Sequence, residues 1–107
     1  MNWKILENET QLNSINELSF KKPQAIFKHS TRCSISTMAK SRVDKSVIDT
    51  IDFHYLDLIA HRILSNLIVE KFNVNHESPQ ILLIKNGECI YDESHNGINI
   101  DELEEAL

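Results

Sequence analysis

The stretch Pro79-Gln80-Ile81-Leu82-Leu83-Ile84-Lys85-Asn86-Gly87-Glu88 decides the fold. Four aliphatic residues in a row after a proline, with no polar alternation, read as a strand buried on both faces. Asn86-Gly87 is the strongest two-residue hairpin signal, because both central positions of the favoured turn need positive φ. Cys89-Ile90-Tyr91 is then the returning antiparallel strand. Beyond it, Ile100, Leu103 and Leu107 recur at helical spacing and predict a short helix over 100–107. Asp101 and Glu102 fall in its first turn, where the helix dipole favours acids.

Working back from Pro79, Ile63, Leu64, Leu67, Ile68 and Phe72 predict an amphipathic helix over 61–72. Residues 52–58 read as a strand with period-two alternation. A helix is predicted from about Cys33 to Lys45, with Ile35, Met38, Ala39, Arg42 and Val43 on one side and the Arg42 charge reaching out to water. Ala25 to His29 is a short apolar-rich strand, expected in the sheet interior, and Ser30 or Thr31 can cap the helix after it. The first helix is opened by Glu9 and Thr10, carries Leu12, Ile15 and Leu18, and ends at Lys21-Lys22-Pro23. Trp3, Ile5 and Leu6 form a short apolar start. A strand–helix–strand unit must be parallel and right-handed, and the hairpin must be antiparallel. One mixed sheet with helices on both faces holds both. The expected class is α/β, a three-layer α/β/α domain spanning residues 1–107.

The chain has 107 residues, 41% hydrophobic and 25% charged, which excludes intrinsic disorder and leaves room for one modest core. The net charge of −5 disfavours nonspecific nucleic-acid binding. The longest strictly apolar run, Ile81 to Ile84, is too short to span a membrane. No basic flank precedes an apolar stretch at the N-terminus, so a cytoplasmic location is expected. Two cysteines, Cys33 and Cys89, are too few for a disulfide scaffold. In a reducing compartment a cysteine is inert filler, a metal ligand or a reactive thiol. Five histidines show no metal-ligand spacing, and no metal is expected.

Cys33 stands where a strand ends and a helix begins, and the free amides and dipole there favour a thiolate. Arg32 adds positive charge, and Lys28 and His29 are candidates to add more. Ser36, one turn on, can donate a hydrogen bond to the sulfur. From these local features alone, a reactive thiol and a small buried hydrophobe both remain open.

At this point the chain resembles the thioredoxin superfamily. The match rests on Cys33-Ser34-Ile35-Ser36 at a helix start, followed by strand, helix and Ser78-Pro79 before Ile-Leu-Leu-Ile-Lys-Asn-Gly-Glu. Within it, Phe27 to Ser36 and His76 to Gln80 resemble the monothiol bacilliredoxin (YtxJ-like) family. The resemblance covers about Leu12 to Leu107. It implies a thioredoxin-like fold and a thiol–disulfide oxidoreductase that removes a low-molecular-weight thiol, bacillithiol or similar, from protein mixed disulfides. That thiol would be a co-substrate, and no cofactor is implied. The partners implied are S-thiolated proteins, with no nucleic acid and no membrane, and the protein is expected to be a monomer. Cys33 matches the nucleophile and Ser36 the place of a resolving cysteine. Pro79 matches the cis-proline, and Ser78 a residue whose backbone pairs with a bound strand. His95 is a candidate to stabilise the thiolate or contact the carboxylates of the small thiol. Two departures stand out: Ser34 replaces the proline that often follows the cysteine, and Phe27 occupies the place of thioredoxin's buried acid.

With one active thiol the adduct on Cys33 must be cleared by a second thiol from outside. Cys89, at the far end of the hairpin, is read as structural. The alternative function is a noncatalytic binding module that docks a partner segment beside Pro79. An iron–sulfur carrier is a third reading, weakened by the tetrad Cys-Ser-Ile-Ser and by Gly97 standing without a second glycine.

Overall fold

The computed structural model describes all residues, 1–107. Five strands form one mixed sheet: β1 (Trp3–Ile5), β2 (Gln24–His29), β3 (Asp52–Asp57), β4 (Gln80–Lys85) and β5 (Glu88–Ser94). Four α-helices connect them: α1 (Glu9–Leu18), α2 (Ser34–Asp44), α3 (Arg62–Phe72) and α4 (Ile100–Glu105). A 3-10 turn, His95–Gly97, follows β5. The strand order is β1-β3-β2-β4-β5. β1, β3 and β2 run parallel, whereas β4 is antiparallel to both β2 and β5.

Each sheet face has its own core. Ile26, Leu56, Leu82 and Ile84 meet Leu12, Ile15, Leu64 and Ile68 on the α1/α3 face. Ala25, Phe27, Phe53, Ile81 and Leu83 meet Ala39, Val43 and Leu103 on the α2/α4 face. Every residue of β2 is buried, as is every residue of β4 except Lys85. Removing one of these side chains, as in Leu82→Ala, falls in the class that costs about 2–5 kcal/mol. The hairpin turn has positive φ at both Asn86 (54°) and Gly87 (77°). It is tied to the end of α1, since Asn86 N–H donates to Ser19 O and Gly87 N–H to Ser19 Oγ, both at 2.9 Å.

Three local readings are corrected. α1 starts from Asn8, whose side chain accepts from the Gln11 amide while Gln11 bonds back, a reciprocal cap. It ends at Leu18, before the Lys-Lys-Pro run. β3 does not alternate: Phe53, His54 and Leu56 are all buried, because β1 and β2 flank it and helices cover both faces. On α2 the buried residues are Ser36, Ala39 and Val43, and Ile35 and Met38 are exposed at 43% and 63%. The phase of this helix is set at its N-terminus, where Ser36 is drawn inward by polar partners described next.

Candidate active site

The C-terminal end of β2 delivers the site. His29 is its last residue, and its carbonyl accepts from the Leu58 amide at 2.9 Å. The chain then turns, with Cys33 N–H donating to Ser30 O at 3.1 Å, and Cys33 becomes the N-cap of α2 with extended backbone. The first helical bond runs from Thr37 N–H to Cys33 O, and the Cys33 side chain makes no cap bond. The amides of Ser34, Ile35 and Ser36 thus lack helical acceptors and head the helix beside a half-buried free thiol. A thiolate is the anion such a helix end favours.

Pro79 comes to the same end of the sheet. Lys28 pairs with Gln80 across β2 and β4, which sets Pro79 just past the pairing, level with the end of β2. The Ser78–Pro79 peptide is cis. The loop before it is braced by Gln80, whose Oε1 accepts from Glu77 N–H and whose Nε2 donates to Asn75 O. Ser78 Oγ is buried and is the one such side-chain polar atom with no hydrogen-bond partner. On the other side, His95 N–H donates to Pro79 O at 3.0 Å, so the 3-10 turn closes over the proline. His95 holds a left-handed backbone (φ 55°), an uncommon conformation for a nonglycine residue. Its carbonyl accepts from Arg42 Nη2 at 3.4 Å, and its Nε2 lies 3.9 Å from Glu77 Oε2. The structure thus brings His95, Glu77 and Pro79 together at the end of the sheet where α2 begins. Arg32, next to Cys33, is exposed and forms no ion pair.

The Ser36 side chain is fully buried. Its Oγ accepts from Ser30 N–H at 3.0 Å and lies 2.7 Å from His29 Nδ1. Lys28 and His29, candidates for added positive charge beside the thiol, are both buried, and on opposite faces of the sheet. Burial and the Lys40 charge hold His29 below the usual histidine range, despite Asp57. Lys28 is completely buried on the opposite face, and desolvation pushes its amine down to about 8. Its Nζ lies 3.3 Å from His76 Nδ1, which Ser65 Oγ also approaches to 3.3 Å. The sequence reading missed these two polar clusters and the Glu77–His95 pair. One signal was available: a lysine in the middle of a strand that must be covered on both faces.

Cys89 lies at the other end of the sheet, level with Ile84 on β4, which is in turn level with Gln24 on β2. Its thiol packs on the α1/α3 core and lies 3.3 Å from Tyr91 O. Burial, and then the Asp92 charge, push it up to about 11. No group of three or more His, Cys, Asp or Glu side chains is arranged to hold a metal ion. No helix is long and apolar enough to cross a membrane.

Comparison with known proteins agrees with this geometry. The family model described as monothiol bacilliredoxin BrxC matches residues 4–103. A solved candidate oxidoreductase with a thioredoxin fold is 33% identical, with a TM-score of 0.86 over 97% of this chain and 92% of that one. A thioredoxin from Malassezia sympodialis shares the fold, with a TM-score of 0.72 at 16% identity over 98% and 87% of the two chains. A redox protein from Chlamydomonas reinhardtii gives a TM-score of 0.75 at 20% identity, covering 97% of this chain but 34% of that one. The chain therefore belongs to the monothiol bacilliredoxin family, thiol-redox proteins on a thioredoxin fold.

Proposed function

We propose that this protein is a monothiol oxidoreductase that lifts a low-molecular-weight thiol, bacillithiol or a close relative, from protein mixed disulfides. One observation carries the reading: Cys33 heads α2 at the Pro79 end of the sheet, Ser36 stands where a second thiol would resolve it, and Cys89 is at the opposite end. Five residues of strand separate the two ends, roughly 17 Å. In the first step the Cys33 thiolate attacks the small-thiol sulfur. The protein–S–S–R bond breaks, the protein thiolate leaves, and Cys33–S–S–R forms. In the second, an external thiolate attacks that adduct, takes R as a new disulfide and returns Cys33 as thiolate. Electrons balance in each step and no cofactor is consumed.

The substrate protein docks as an extended segment against the Ser78–Pro79 backbone. Ser78 Oγ lies buried behind this backbone without a hydrogen-bond partner. Ile35 and Met38, exposed on the first turns of α2, offer apolar contact beside the thiol. Arg32 and His95 are the candidates to contact the carboxylates of the small thiol. The proposal includes a monomer acting in the cytoplasm.

The test is intact-mass analysis after mixing the reduced protein with a bacillithiolated model protein. A single adduct of bacillithiol mass on Cys33, with the model protein released, is expected in the wild type and in Cys89→Ser, and none in Cys33→Ser. No adduct on Cys33, or equal labelling of both cysteines, would overturn the exchange reading and favour a binding module.

A further inference from the structure

The exchange written above does not use His29, yet this ring is buried against the helix that carries the nucleophile. It is 5% exposed, and its centroid lies 5.6 Å from that of Tyr55 and 6.0 Å from that of Phe27. Its one polar contact is Nδ1 to Ser36 Oγ at 2.7 Å. A serine hydroxyl has one proton to give and two lone pairs to fill. The Ser30 amide already fills one lone pair. Where Nδ1 carries no proton, Ser36 gives its own proton to the ring and has none left for another acceptor. Where Nδ1 carries a proton, the ring donates into the second lone pair and the hydroxyl proton is released. Cys33 is the N-cap of the helix on which Ser36 is the third residue, and with Ser36 Oγ engaged by His29 and Ser30 no hydrogen bond from it to the Cys33 sulfur is present.

We propose that His29 is a positioning residue for the Cys33 reaction: by holding or releasing the Ser36 proton, it decides whether that hydroxyl donates to the Cys33 sulfur. The inference rests on Cys33 being the exchange thiol. The two half-reactions ask opposite things of that sulfur. Attack wants a thiolate with few donors, and departure from the Cys33–S–S–R adduct wants a stabilised one. The state of the donor therefore trades attack against departure as the pH changes. The charged groups facing the ring are Lys40 and Asp44 from α2 and Asp57 from β3. Lys40 opposes a proton on His29, the two aspartates favour it, and burial opposes it most. The ring therefore keeps its uncharged form to lower pH than an ordinary histidine.

The experiment measures the carbamidomethylation rate of Cys33 from pH 4.5 to 9 in full-length protein with Cys89→Ser, together with ring nitrogen shifts of His29 by NMR. A thiolate stabilised by the released hydroxyl is more abundant below its own titration, and only part of that gain is lost as reduced nucleophilicity. The wild-type rate in acid is therefore expected to exceed a single-ionisation curve by about threefold, with a midpoint matching the NMR titration of His29. His29→Asn can still bond Ser36 but does not titrate, and it loses the excess. Ser36→Ala loses most of it while His29 still titrates. A solely structural role for His29 would lower the stability of these variants without moving the profile. A wild-type profile with one inflection, or an excess retained in His29→Asn or undiminished in Ser36→Ala, would overturn the proposal. Because the probe is a small alkylating agent, this failure is distinct from absence of the bacillithiol adduct, which overturns the exchange reading itself.

Discussion

The two ends of the sheet treat polar groups in opposite ways. At the N-terminal end of β2, His54 Nε2 lies 2.7 Å from Gln24 Oε1, and Gln24 Nε2 donates to Asp52 and to Lys22 O, each at 3.0 Å. Lys22 and Lys4 then pair with Asp52 at 2.9 and 3.5 Å. Burial alone would raise the Asp52 carboxyl, but bonds from Lys22 and Gln24 and the charge of Lys4 hold it below the usual range. Cys89 lies level with this end and is protonated. At the other end Lys28 is buried with His76 but no carboxylate beside it, Ser78 Oγ has no partner, and the first-turn amides of α2 wait for an acceptor. Satisfied groups stabilise and stay inert, whereas unsatisfied ones store capacity for a ligand or a charge. Chemistry belongs at the unsatisfied end.

The largest expected effect breaks or sharpens this contrast directly. At pH 7 an alkylating agent should label Cys33 at least about 100-fold faster than Cys89, since burial and the Asp92 charge keep the Cys89 thiol protonated. Peptide mass spectrometry over time reads both sites at once, and comparable rates would erase the distinction between the ends. A smaller effect concerns stability. The Lys28 amine falls from 10.5 to about 8 on folding. The folded state thus holds fewer protons than the unfolded one between those values, so stability rises with pH across that window and is reduced by a constant amount below it. Lys28→Met removes the penalty, which is on the order of 3 kcal/mol at neutral pH. It should raise the urea midpoint at pH 7 and flatten the gain between pH 8 and 10.5. A variant less stable than wild type would mean that the amine is well paired after all. The smallest effect is a control remote from the thiol: Asn8→Ala should cost about 1 kcal/mol in urea unfolding with Cys33 labelling unchanged.

The elements whose burial is uniform were legible in the sequence. Ile81 to Ile84 and Asn86-Gly87 announce a central strand and its turn because every residue points the same way. Cys33 was legible as well, since a strand–loop–helix junction is written in local pattern. The phase of α2 was not. Ile35 and Met38 satisfy a hydrophobic spacing, but the helix is rotated by the buried bonds of Ser36 to His29 and Ser30, partners seven and six positions away across a change of structure. β3 misled for a related reason. His54 reads as a solvent-facing polar residue until Gln24, thirty positions away, is seen to receive it. Polar burial is decided by tertiary partners, and no local period encodes it.

β5 is an outer strand of the sheet, with one row of backbone groups left for any strand that approaches. Along it stand Glu88, Asp92 and Glu93, with Ile90 the exposed apolar residue. These carboxylates act as gatekeepers: a second copy aligned edge to edge would meet its own charges. The protection is borrowed from the solvent. Near pH 5.4, where the molecule's overall charge vanishes, and in more acid solution, where carboxylates take up protons, the repulsion fades and aggregation through this edge becomes the hazard. The protein should keep best well above that pH.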